Sequence, residues 1–378
     1  MEKFQNGTFE VTNDKIGCLK DKEIMLYGAG NIGKKLYKIF KDNEIQVICF
    51  IDRNSNLDSS KYEVPIYHPD YREFADMKET GYVILSALFS LNQSSEIKGK
   101  LFELGFKHVF ALHEVNLSSI DDGFFYNNLL DGSYDKNDIL GKDRAKIIEA
   151  FSLLETEQDQ EFFLDFLQAH LTMDFTRFKD PEEISLQYLA HDIPLSKNYG
   201  NFIDCGGYDG DTLRNFVSNG VEMNNIAVFE PQNELCQKIS RYIQQNQDKF
   251  DSVVLFPCGV HSEMRKFKFS VSGDAPSSAK IDDQGNDIIQ CVAIDEVLQG
   301  FKPTFIKMDI EGAEIEALKG AKQTIIKYRP QLAICVYHRL SDIWEVPLFI
   351  KSCYEGYKFY LRNYNVMGFE TVLYAFPE

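Results

Sequence analysis

Two runs of this chain set acids and glycines where a strand turns into a helix. In "FIDCGGYDGDTL" (202–213), Asp204 ends an apolar run, and Gly206, Gly207 and Gly210 shape the turn after it. Missing side chains let a ligand lie against the backbone there, beside helix amides that are free to donate. The next strand-like run, "AVFEP", ends in Glu230, whose carboxylate can accept from both hydroxyls of a ribose. Asp204, Asp209 and Asp211 crowd the turn with negative charge, which disfavours a pyrophosphate and suits a nucleoside cofactor bearing cations. S-adenosylmethionine, with its ammonium and sulfonium, is such a cofactor.

Methyl transfer from a sulfonium is an in-line displacement, helped by holding the acceptor oxygen and by a base that takes its proton. Such groups project from the carboxyl ends of strands in a doubly wound sheet. "FIKMDIEGAE" puts Asp309 and Glu311 at one such end, with Glu314 in the following helical turn, and "ICVYHR" puts His338 at the next. We expect the base among Asp309, His338 and Glu311. Lys307, inside an apolar strand, needs a carboxylate partner. Thr212 is expected to cap its helix. The other glycine run, "IMLYGAGNIGKKLYKIF" (24–40), is a full G-x-G-x-x-G, with Gly28, Gly30 and Gly33, and Asp52 ends the next strand. It could hold a nucleotide, or simply build a docking or dimerisation domain.

Positioning these residues requires alternating strands and helices. The pattern runs from 22 to about 113, predicting a small α/β domain with a mostly parallel sheet. Residues 114–141, rich in Asn, Asp and Gly, read as a linker. Apolar residues at three and four spacing then predict helices between 142 and 192, in "AKIIEAFSLL", "QEFFLDFLQAHL" and "PEEISLQYLA". From 199 strand and helix alternate to the end and close in a hairpin, with "AEIEALKGAKQTIIKY" as one helix and an insertion holding "KFKFSVS" and "IIQCVAI". The expected organisation is a Rossmann-like domain (1–115), a linker and helical bridge (116–195) and a larger domain (196–378).

The ordered set "FIDCGGYDGDT", "VFEP", "CGV", "VAIDEVL", "IKMDIEGAE", "LKGA" and "ETVLYAF" resembles the FkbM-type family of S-adenosylmethionine-dependent O-methyltransferases, over roughly 185–376. The resemblance implies a class I methyltransferase fold, an α/β doubly wound sheet of seven strands. It also implies Asp204, Gly206 and Gly210 around the methionine part, with Gly207 in the same turn, Glu230 on the ribose, and Cys258 and Gly259 near the adenine. The first glycine domain looks like the N-terminal domains of bacterial sugar acetyltransferases, which hold a nucleotide-sugar. The expected acceptor is therefore a sugar hydroxyl, on a small molecule or a surface-glycan precursor. The competing readings are a nicotinamide-dependent nucleotide-sugar oxidoreductase using the first turn, and a non-catalytic nucleotide-sugar binder.

Bulk properties narrow the field. The 378 residues carry a formal net charge of −18 with no basic stripe, which argues against nucleic acid and anionic membrane surfaces as partners. No run approaches the roughly 20 apolar residues of a spanning helix. None of the eight cysteines forms a C-x-x-C pair and the seven histidines include no H-x-H, which leaves no recognisable zinc site. Without a second acid pair at the right place, the magnesium that some methyltransferases of the fold hold on strand-end acids is not expected either. The placement of the cysteines in apolar runs fits reduced thiols in the cytoplasm. Pairing of chains through the N-terminal domain is a further expectation.

Overall fold

The computed structural model describes residues 19–54, 62–71, 74, 77–86, 91–115, 117, 141–172, 174–194, 198–271, 279–281 and 287–378. Most of the expected linker lies outside them. Two compact units emerge: Met1–Lys136 with Leu164–Pro181 and Asn365–Phe369, and Asn137–Phe163 with Glu182–Tyr364 and Glu370–Glu378. The stretch read as a bridge is divided between them.

In the first unit β1 (Ile24–Tyr27), β2 (Val47–Ile51), β3 (Ile66–Tyr67), β4 (Tyr82–Leu85) and β5 (His108–Ala111) form a parallel sheet in the order β3-β2-β1-β4-β5. β1 is buried along its length, as a central strand covered on both faces must be. Helix α1 (Asn31–Asp42) follows β1, and α2 (Leu91–Glu103) joins β4 to β5. The glycine turn is built for close packing, because a Cβ on Gly33 would lie 2.0 Å from the Gly28 carbonyl oxygen.

Helices α3 (Arg144–Ser152) and α4 (Glu157–Thr172) form where the spacing predicts them. "PEEISLQYLA" does not become a helix and holds only the 3-10 turn Ile184–Leu186. Its backbone groups find other partners: Glu182 N–H donates to Asn363 O, and the Tyr188 N–H to the Tyr374 hydroxyl, with Tyr188 at φ 66°. These tertiary bonds replace the helical ladder.

The second unit centres on β6 (Asn201–Cys205), β7 (Asn225–Phe229), β8 (Ser252–Phe256), β13 (Phe305–Met308), β14 (Gln331–Cys335), β15 (Tyr357–Asn363) and β16 (Thr371–Pro377). Their order is β15-β16-β14-β13-β6-β7-β8, parallel except for the antiparallel β16, which pairs both β14 and β15. This is the doubly wound, hairpin-closed sheet that the alternation predicts. Helices α5 (Asp211–Ser218) and α6 (Asn233–Gln245) follow β6 and β7. The single helix expected after β13 is two, α7 (Glu314–Gly320) and α8 (Lys322–Tyr328). The break falls where Gly320 meets another backbone, its hypothetical Cβ 2.1 Å from the His261 carbonyl oxygen. Helix α9 (Asp342–Cys353) follows β14. The insertion is a separate sheet of β9 (Gly259–Val260), β10 (Arg265–Val271), β11 (Ala279–Ile281) and β12 (Asp287–Val292), in the order β11-β10-β12-β9.

The second and third glycines of the first glycine turn should respond differently to a methyl group. Gly33→Ala should lose ~3 kcal/mol in chemical denaturation because the obstacle is backbone. Gly30→Ala, with nothing within 4 Å of its Cβ, should stay within about 1 kcal/mol of wild type. Equal losses would show that packing is not what the third glycine serves.

Candidate functional site

The carboxyl ends of β6, β7, β13 and β14 open into a cavity of about 540 Å³ in the second unit. Gly206, Glu230, Gly259, Asp309 and Glu311, all singled out by sequence, line it. Asp204, Gly207, Gly210, Cys258 and His338 are not among its lining residues and act from behind it or within the turn.

Asp204 is wholly buried, and the Lys307 ammonium lies 3.0 Å from its Oδ1. Lys307 also donates to the Gly206 carbonyl at 2.6 Å. Burial works against the lysine's charge, yet Asp204, then Asp309 and Asp211, hold it protonated. Burial pushes Asp204 up to about 6, with Lys307 opposing. Gly206 has φ 87°, and a Cβ there would stand 1.9 Å from the Asp309 carbonyl oxygen, so β6 and β13 close on each other only with glycine at this point. Gly207 packs against the Val228 side chain, its hypothetical Cβ 2.4 Å from a methyl carbon, and Gly210, not Thr212, is the N-cap of α5. Thr212, in the first turn of α5, is buried and lines the cavity.

Glu230 ends β7 with 4% of its surface exposed. Its Oε2 accepts the Tyr208 N–H at 3.0 Å and its Oε1 the Gln232 N–H at 2.8 Å. Burial pushes it up to about 7 in spite of those bonds. One lone pair on each oxygen is left to face the cavity. Phe229, Val260, Ile289 and Cys291 supply an apolar wall beside it.

The other end is acidic. Asp309 Oδ2 accepts from the Tyr188 hydroxyl at 3.1 Å, and Oδ1 lies 3.4 Å from the Tyr337 hydroxyl. Burial raises Glu311 to about 7, opposed by His338 and aided by Asp309. Burial and then Asp309 raise Glu370 to about 7, and Gln187 Nε2 donates to its Oε2 at 2.9 Å. His338 Nδ1 lies 2.9 Å from Glu314 Oε1, and its Nε2 is 3.5 Å from Asp309 Oδ1 and 3.6 Å from Glu311 Oε2. Burial alone would lower the imidazole's pKa, but Glu314, Glu311 and Asp309 push it up to about 10.

Tyr188, Tyr208, Gln187, Tyr337 and Glu370 also line the cavity and carry no motif that marks them in the sequence. One physical signature gathers several of them. Tyr188, Tyr208, Glu311 and Glu370 all adopt positive φ, a conformation that costs a non-glycine residue about 1 to 3 kcal/mol and clusters at functional sites.

In the first unit Asp52 is engaged by its own glycine turn. Its Oδ2 accepts the Ala29 N–H and its Oδ1 the Asn54 N–H, both at 2.8 Å, while the Tyr62 hydroxyl donates to Ala29 O at 2.6 Å. Ala29 stands between Gly28 and Gly30 in the turn, so this acid braces the turn before it can serve a ligand.

Residues 204–359 match the family model described as the methyltransferase FkbM domain. The crystal structure of methyltransferase FkbM from Methylobacillus flagellatus KT superposes with a TM-score of 0.63 at 20% identity, covering 94% of this chain and 90% of that one. A candidate caffeoyl-CoA O-methyltransferase from Staphylococcus aureus is 9% identical over 48% of this chain and 78% of its own, and its TM-score of 0.30 carries no argument. No curated protein matches the chain. The fold is α/β with the mixed seven-stranded sheet of class I methyltransferases, and the domain match supports a methyltransferase.

The buried pair at the base of the site makes a clear expectation. Lys307→Met strands the Asp204 charge and should cost about 3 to 5 kcal/mol. The double variant with Asp204→Asn should lose distinctly less. Additive losses in denaturant titrations would mean the two groups do not depend on each other.

Proposed function

We propose that the chain is an S-adenosylmethionine-dependent O-methyltransferase whose acceptor is a hydroxyl of a sugar or surface-glycan precursor. The observation that carries this reading is one cavity bounded at one end by Glu230 and at the other by Asp309. The residues fit the cofactor. Glu230 keeps a lone pair on each oxygen for the two ribose hydroxyls, and the wall of Phe229, Val260, Ile289 and Cys291 suits a purine. Gly206 allows the backbone of the turn to approach the methionine part, and Asp211 and Asp309 face its cationic groups. When bound, S-adenosylmethionine supplies an electrophilic methyl group.

The rest falls to the chain itself. Asp309, aimed by the Tyr188 and Tyr337 hydroxyls, holds the acceptor hydroxyl and takes its proton. Glu311 and Glu370 offer further oxygens to neighbouring hydroxyls of a polyol. His338, outside the lining, acts on Asp309 and not on the acceptor. The lining contains one basic side chain, Lys307, and it is committed to Asp204 and Gly206. A phosphate or carboxylate near the acceptor oxygen would face Asp309, Glu311 and Glu370 with no uncommitted basic side chain in the lining, which favours an uncharged sugar ring there.

Calorimetry and methyl-transfer assays test the two ends separately. Glu230→Ala should weaken S-adenosylmethionine binding by about 1.5 to 3 kcal/mol, the worth of hydrogen bonds to a charged group. Asp309→Asn should keep cofactor affinity and lose about 10² to 10⁴ in turnover. Undiminished cofactor binding in the first variant would remove Glu230 from the site, and wild-type turnover in the second would place the base elsewhere.

A further inference from the structure

The acidic end of the cavity continues into the protein beyond anything a ligand in the cavity can touch. Glu314 is 0% exposed and Asp342 is 2% exposed, and each keeps one oxygen, Glu314 Oε2 and Asp342 Oδ2, without a hydrogen-bond partner. A buried carboxylate is costly unless it is paired or ligates a cation. Asp309, Glu311 and Glu370 add further negative charge around the same imidazole. The nearby cations are His338 itself and Arg339, which lies close to Asp342. A bound cofactor would meet Asp309 and Glu311 but leave Glu314 and Asp342 as they are.

We propose that His338, Asp309 and Glu311 hold a divalent cation at this inner end, with Glu314 fixing the imidazole from its far side. The side chain of His338 is 8% exposed, and its Nε2 has no hydrogen-bond partner. That nitrogen faces Asp309 Oδ1 at 3.5 Å and Glu311 Oε2 at 3.6 Å, too far for good hydrogen bonds. Two ligand atoms that each sit ~2.1 Å from one ion at ordinary coordination angles are ~3 to 3.5 Å apart, so each of these separations is close to what an ion needs. The opposite nitrogen, Nδ1, lies 2.9 Å from Glu314 Oε1, close but off hydrogen-bond geometry, and that same oxygen accepts the Ile310 N–H at 3.0 Å. A carboxylate behind a ligating imidazole selects its tautomer and aims its lone pair. The groups whose candidate ligand atoms lie within 4.8 Å of one another are Asp309, Glu314 and His338, so Glu311 stands outside that set and must turn in to complete the site. Mixed carboxylate and imidazole donors suit a first-row ion such as Mn²⁺ better than Mg²⁺.

The ion site rests on these side chains alone. Its use, orienting the acceptor hydroxyl beside Asp309, rests on the proposed methyl transfer. The full chain, stripped with a chelator, should bind one Mn²⁺, seen by the loss of the free-ion paramagnetic signal and by calorimetry, with Mg²⁺ weaker. His338→Asn and Asp309→Asn should abolish binding. Glu314→Gln should weaken it about 10- to 100-fold, as for other partners of ligating imidazoles. If that buried substitution prevents folding, Glu311→Gln, at the more exposed edge, decides instead with a loss of at least tenfold. S-adenosylhomocysteine titrations of the same samples keep the two readings apart: Mn²⁺ binding without nucleoside binding would leave the ion site standing and remove the methyltransferase. Absence of stoichiometric Mn²⁺ binding by the wild type, or wild-type affinity in folded His338→Asn or Glu311→Gln, overturns the ion site.

Discussion

One ammonium group organises the functional end of the larger unit. Lys307 and Asp204 stand opposite each other on adjacent parallel strands, β13 and β6, both almost fully enclosed. The lysine reaches past its partner to the Gly206 carbonyl, and its charge lies 5.6 Å from the ring centre of Tyr188. Strand, glycine turn and the tyrosine that aims Asp309 thus share a single cation. A hydrophobic pair of the same volume could serve stability as well, since desolvating two charges consumes most of their attraction. What such a pair could not do is fix the direction of the Gly206 carbonyl, and with it the close crossing against Asp309.

The cavity built on that base is strained and acidic at once. Four side chains on its wall stand on left-handed backbone, and two of them, Glu311 and Glu370, are carboxylates whose burial holds them well above their ordinary pKa. Such an arrangement is unfavourable to the empty protein and becomes less so when cationic or hydroxyl-bearing ligands enter. The same electrostatics unites the proposed cofactor, the uncharged acceptor and the cation site: each relieves an excess of carboxylates that the chain's own bases do not match.

Much of this was legible in order along the chain. The glycine turn after β6, Glu230 at the end of β7 and Asp309 after β13 are local patterns, set by what a strand-to-helix turn tolerates, and the cavity brings them together. The opposite held wherever a residue's partner is far away in sequence. Tyr188 meets Asp309 across 121 positions and Gln187 meets Glu370 across 183, so no spacing could announce either contact. "PEEISLQYLA" has helical periodicity, but the hairpin offers its backbone other hydrogen bonds, and the predicted helix after β13 divides where Gly320 meets the His261 backbone.

The sequence by itself therefore determined the alternation of strands and helices and the acids at the strand ends, because these follow from periodicity and from short-range sterics, while the seven-stranded class of fold followed from the ordered motifs that resemble a known family. Only the tertiary structure decided that Asp204 faces a buried lysine, that Asp52 braces its own turn, and that His338 lies between Glu314 on one side and Asp309 and Glu311 on the other. Those outcomes depend on which strands lie side by side and which side chains lose their water, and long-range packing sets both.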